Sequence, residues 1–156
     1  MTRTERITGI ALACLLLFMT LNSTYYFLLI AKVNVIQWIV FNACAPASIA
    51  YLAGLLLFWK NKNKMWLLIA TVPLFLFGTT GLFVFPWSGV YCMAQVAHIT
   101  MTLNLLWSIW MVWKNKDYKA MGNGLLISIG LFIPFIAFTQ AFCREHANEV
   151  MKILGI

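Results

Sequence analysis

Charge is scarce in this chain. Four residues are acidic and eleven basic, 10% of 156 residues, where a soluble domain carries roughly 25%. Apolar residues make up 63%, and a soluble fold this small has too high a surface-to-volume ratio to hide them. That excludes a water-soluble globular domain. No Asp, Glu, Lys or Arg falls inside any of the long apolar runs. Proton-coupled transporters and voltage sensors depend on such intramembrane charges, so an ion-coupled pump is disfavoured. The four cysteines form no C-x-x-C pair, which argues against zinc-ribbon and thioredoxin chemistry. There is no G-x-S-x-G, H-E-x-x-H, Walker loop or glycine-rich nucleotide fingerprint. The sequence leans away from an enzyme and calls for no cofactor and no metal.

What is present is a set of five apolar runs, over residues 7–30, 38–59, 65–85, 93–113 and 120–142. Each is long enough for a helix rising 1.5 Å per residue to cross about 30 Å of hydrocarbon. Helices satisfy their own backbone hydrogen bonds in lipid. The expectation is therefore an all-α bundle of five transmembrane helices forming one membrane domain, with a tail at 143–156. The first run is too long for a signal-peptide core and no small-x-small site ends it, so it reads as a retained span. Only Lys32, Asn34 and Gln37 separate the first two runs. A four-span chain with a surface-lying segment is the alternative.

The basic residues set the orientation. Trp59-Lys60-Asn61-Lys62-Asn63-Lys64-Met65-Trp66 is echoed by Trp113-Lys114-Asn115-Lys116-Asp117-Tyr118-Lys119. Lysine-rich turns stay cytoplasmic, and flanking Trp and Tyr sit at headgroup level. With both turns inside, Arg3 and Arg6 are inside as well, and only Lys32, Arg144 and Lys152 are outside. The N-terminus is expected in the cytoplasm and the C-terminus outside, in a prokaryotic plasma membrane as a multi-pass protein. The net charge of +7 is a topology signal and a contact with lipid headgroups, not a nucleic-acid surface. In the tail, Val150, Met151, Ile153 and Leu154 form an apolar patch on a short helix suited to the outer membrane surface.

Candidate functional residues follow from where polar groups fall. Ala43, Ala47, Ala50 and Gly54 share one helix face, and small residues let helices approach closely. This face either packs within the chain or docks a membrane partner or a second copy. Pro46 should bend that helix near its outer end. Asn22, Tyr26, Asn42, Thr79, Gln95, His98, Thr102 and Gln140 gather toward the outer half, with Gln95, His98 and Thr102 on one stripe. Polar groups in lipid need partners, so they should face the bundle, either as interhelical hydrogen bonds or as the lining of an outward-facing pocket. Cys92 and Cys143 fall at the outer edge, where a disulfide would join span four to span five.

The leading functional expectation is a non-enzymatic solute- or lipid-binding, or transport, subunit that passes its ligand to a partner. One alternative is an accessory subunit of a larger membrane complex. The other is a redox protein handling quinone, haem or thiols, in which His98 would have to pair with His146, Met93 or Met101 to hold haem.

Overall fold

The computed structural model describes residues 1–89 and 91–154, and is all-helical there. Gly155 and Ile156 of the expected tail lie outside the described residues. Helix α1 (Arg3–Tyr25) starts at a capping box, with Thr2 Oγ1 accepting the Glu5 N–H and the Thr2 N–H donating to Glu5 Oε2 at 2.6 Å. It runs on through a π-helical turn, Tyr26–Ile30. A second capping box, Asn34 with Gln37, opens α2 (Val35–Phe41). Then come α3 (Cys44–Asn61), the third apolar run, α6 (Tyr91–Lys114), α7 (Tyr118–Glu145) and α8 (Ala147–Leu154). The third run is irregular: a 3-10 turn at Lys64–Leu68, α4 (Thr71–Pro73), a π-helical stretch at Leu74–Thr79, and α5 (Gly81–Val84).

Four helical stretches are long and apolar enough to cross a membrane: Arg3–Ile30, Lys64–Val84, Tyr91–Lys114 and Tyr118–Glu145. The fifth expected span, 38–59, is not one rod. Its two helices, α2 and α3, meet at a bend of 85°. Pro46 explains where. A proline has no N–H and its ring collides with the carbonyl four residues back, which is that of Asn42. The helix stops there, and the Ala45 N–H closes a turn onto Asn42 O at 2.8 Å. Pro46 then sits in the first turn of α3, where the N–H it lacks would have had no partner. Pro73 repeats the device. The residue four back is Ile69, which caps the end of the 3-10 turn, and α4 begins two residues later at Thr71. The Val72 N–H, in that new first turn, is capped from another helix by Ser128 Oγ at 2.9 Å.

Helix α6 is the centre. Half of its most apolar stretch is buried, against 17% for α7, and it packs on α1, on the third run and on α7. The core around it comprises Leu16, Tyr51, Leu55, Leu67, Leu68, Leu74, Met101, Met111 and Val112. Glycines set the close approaches. A Cβ on Gly9 would strike the Trp107 ring, one on Gly78 would lie 2.8 Å from Met101 Cβ, and one on Gly54 would lie 2.4 Å from Trp66 O. Large apolar side chains such as Phe83, Leu56, Leu126 and Leu131 point outward, fully or largely exposed, as a lipid-facing surface requires and a water-facing one does not.

The basic segments meet at one end. Lys114 Nζ bonds Glu5 Oε1 at 2.6 Å and lies over the Trp110 ring, tying the N-terminus to the second lysine turn. Lys64 pairs with Asp117 at 3.8 Å, tying the two lysine turns together. At the other end Gln37 Nε2 donates to Glu149 Oε2 at 3.1 Å, bringing the start of α2 onto α8. Three lysines, Lys32, Lys62 and Lys116, stand at turns with φ of 52°, 57° and 52°, a left-handed conformation that costs a residue with a Cβ about 1–2 kcal/mol.

Candidate functional site

The polar residues picked out in the sequence separate into three groups. Asn22 and Tyr26 face away from the bundle and are exposed. The buried stripe of α1 is Gly9, Ala13, Leu16, Met19 and Thr20, and neither residue falls on it. Neither residue lines the cleft or the small cavity described below. Thr79 and Thr102 form a hydroxyl pair at 3.2 Å, and Thr102 also donates to His98 O at 2.9 Å. These two are bonds between and within helices, not pocket walls. The remaining residues, Asn42, Gln95, His98 and Gln140, cluster around the break between α2 and α3.

The small-residue face of α3 is used inside the molecule. Ala43, Ala47 and Gly54 are buried and Ala50 half-buried, with Gly54 against the Trp66 carbonyl. Within the chain it is a packing face. The Cys92–Cys143 bridge is not formed. All four cysteines are free. Cys92 is exposed, whereas α2 lies beside the end of α7 and the Cys143 thiol points at Val40 O, 3.8 Å away.

At this end of the bundle a cleft of about 260 Å³ opens between the α2–α3 break, the second half of the third run and the end of α7. Its walls are mainly apolar: Val40, Phe41, Leu76, Phe77, Val84 and Phe85. Thr80, Thr139, Gln140 and the thiols of Cys44 and Cys143 add the polar atoms. The Thr139 hydroxyl is already bonded to Ile136 O at 2.8 Å, whereas the Gln140 side chain is exposed. A second cavity of about 30 Å³ lies on the far side of Cys44, against Ser23, Asn42, Ser48 and Met101. It is large enough for one water molecule. Asn42 is buried there and its Nδ2 has no hydrogen-bond partner.

Behind the cleft wall lies a fixed chain of side chains. Gln95 is fully buried, and its Nε2 donates to Phe85 O at 2.5 Å and to Leu82 O at 3.3 Å. Backbone carbonyls only accept, so the amide nitrogen must face them and Oε1 must face the other way. Oε1 is 3.4 Å from His98 Nδ1. Nδ1 therefore carries the proton, and the lone pair of the neutral ring sits on Nε2. Nε2 lies 3.6 Å from Cys44 Sγ. The thiol has one other acceptor in reach, Phe77 O, also at 3.6 Å. The imidazole is stacked on Phe85 with centroids 5.5 Å apart. On its other side it rests against Gly81, where a Cβ would lie 2.7 Å from the ring. Cys44 is the first residue of α3, and helix N-termini favour negative charge.

Sequence reasoning missed Cys44 as a partner of His98. Each falls near the start of its apolar run, 38–59 and 93–113, and that shared depth was the available signal. It also missed a buried polar knot nearer the lysine-rich end. There Asn104 Nδ2 donates to Leu12 O at 3.1 Å, and Ser108 Oγ donates to the Tyr51 hydroxyl at 3.1 Å. Among the described residues no group of three His, Cys, Asp or Glu side chains is placed to hold a metal. Compared with protein-family models, with curated proteins and with solved structures, the chain matches none.

Proposed function

We propose that the protein is a multi-pass plasma-membrane protein that binds an amphiphilic molecule, a lipid or lipid-soluble solute, in the cleft at the end opposite the lysine turns. The observation that carries this reading is the cleft: apolar walls with one exposed amide, Gln140, and hydroxyls at Thr80 and Thr139. That distribution suits a molecule with an apolar body and a single hydrogen-bonding head, since binding sites of this kind combine apolar lining with a few placed polar groups. The pocket expected from the sequence was polar; the cleft is apolar with a polar rim.

Orientation belongs to the same proposal. The ion pairs that join the N-terminus and both lysine turns gather eight basic residues at one end; basic loops are retained on the cytoplasmic side, which supports a cytoplasmic position for that end and an exterior one for the cleft. The protein acts as a binding or transport subunit rather than an enzyme of multiple turnover. It hands its ligand to another membrane component.

The test uses the full chain purified in mild detergent and a naturally fluorescent polyene fatty acid as probe. Saturable binding is expected. Leu76→Trp, which fills the cleft, should abolish it, and Gln140→Leu should weaken it by roughly tenfold, the loss of about one hydrogen bond. Binding unchanged by Leu76→Trp refutes the site. A cytosolic reporter that is active when fused after the tail refutes the orientation.

A further inference from the structure

We propose that Cys44 is a membrane-embedded acyl-acceptor thiol, activated by His98, that takes an acyl group from a lipid ester lodged in the adjacent cleft. The inference rests on the cleft's being an amphiphile site, and adds covalent chemistry to it.

Two observations converge on this one sulfur. Cys44 lines both the large cleft and the small cavity, so it can meet a ligand. His98 Nε2 is 3.6 Å away, and Gln95 holds the ring in the tautomer that accepts a proton there. A thiol, a base and a group that orients the base are the parts nucleophilic catalysis needs.

The step balances without an external oxidant or reductant. As Sγ bonds to the ester carbonyl carbon, the thiol proton passes to His98 Nε2. The carbonyl oxygen takes the negative charge. The carbonyl then re-forms, the ester C–O bond breaks, and the alcohol leaves with the proton from His98. Cys44 is left as a thioester and His98 neutral. The ester's acyl chain occupies the apolar walls of Leu76, Phe77, Val84 and Phe85.

The test incubates the full chain in mild detergent with p-nitrophenyl octanoate and follows intact mass and peptide maps. One octanoyl group is expected on Cys44, removable by hydroxylamine. It should form faster there than on Cys14 or Cys92, although those two are the exposed thiols. His98→Gln should slow it by about 10²–10⁴-fold, the usual worth of a general base. Because His98 is packed against Gly81 and Phe85, a second variant guards against misfolding. Leu76→Trp leaves the relay in place, so it should block octanoylation while Cys44 still reacts with the small reagent methyl methanethiosulfonate. Labelling of Cys14 or Cys92 ahead of Cys44, or a rate unchanged in His98→Gln, overturns the proposal. If the fluorescent fatty acid binds but Cys44 stays unmodified, the chemistry fails and the binding reading stands. If neither occurs, both fail.

Discussion

Adding one methyl group at Gly54 tests the packing on which the site is built. In Gly54→Ala the new Cβ would lie 2.4 Å from Trp66 O and 2.9 Å and 3.0 Å from two side-chain carbons of Ile69, where ordinary contact begins at 3.4 Å. The nearest atom is backbone, so no rotamer change relieves it. Helix α3 and the Lys64–Leu68 turn must part by roughly 1 Å, and overpacking of this kind costs about 1–3 kcal/mol. Alanine also gains about 0.5–1 kcal/mol over glycine in a helix interior. Gly122→Ala supplies the comparison, because nothing lies within 4 Å of a Cβ there and the residue is inside α7. It should be slightly more stable than the parent. The difference between the two variants isolates the steric cost, expected at about 1–3 kcal/mol against Gly54→Ala. Reversible unfolding by sodium dodecyl sulfate in mixed micelles reads it. Equal stability of the two variants would refute the close approach, and with it the claim that the small-residue face is consumed within the chain.

Other consequences follow from single contacts. Ser128→Ala strips the Val72 N–H of its only cap from α7 and should cost about 1–3 kcal/mol in the same assay; no loss would mean that the break before Pro73 does not need it. Lys62→Gly should stabilise by about 1 kcal/mol, since glycine tolerates the left-handed φ that lysine bears at a cost. A fall in stability would show that the lysine's interactions outweigh the backbone term. Glu5 lies ahead of the apolar part of α1, and the hydrogen bond from Lys114, then that from the Thr2 N–H, holds its carboxyl below the ordinary range. The folded state thus binds fewer protons than the unfolded one. The stabilisation is complete above the unfolded carboxyl value, about 4.3, and is lost as pH falls through the lower folded value. Unfolding followed against pH should show this acid loss in the parent and not in Glu5→Gln; identical profiles would dispose of the ion pair's contribution.

The helical class, the lengths of most spans and the sorting of charge to one end could be read from the chain alone. Hydrocarbon thickness and the cost of burying charge act on local composition, and the runs ending at Lys60, Pro86 and Lys114 carry that record without any tertiary information. Pro46 marked a bend, but not that it would reach 85° or that Asn42 would be left with an unpaired amide beside it. The rotation of each helix about its axis was not legible. It is set by where glycines let neighbours in, at Gly9, Gly54, Gly78 and Gly81, and it decides that Asn22 and Tyr26 face outward while Gln95 and His98 face inward. The meeting of Cys44 with His98, 54 residues apart, belongs wholly to the tertiary structure, because only the packing of α3, the third run and α6 around one another brings two residues of equal depth within a hydrogen bond's length.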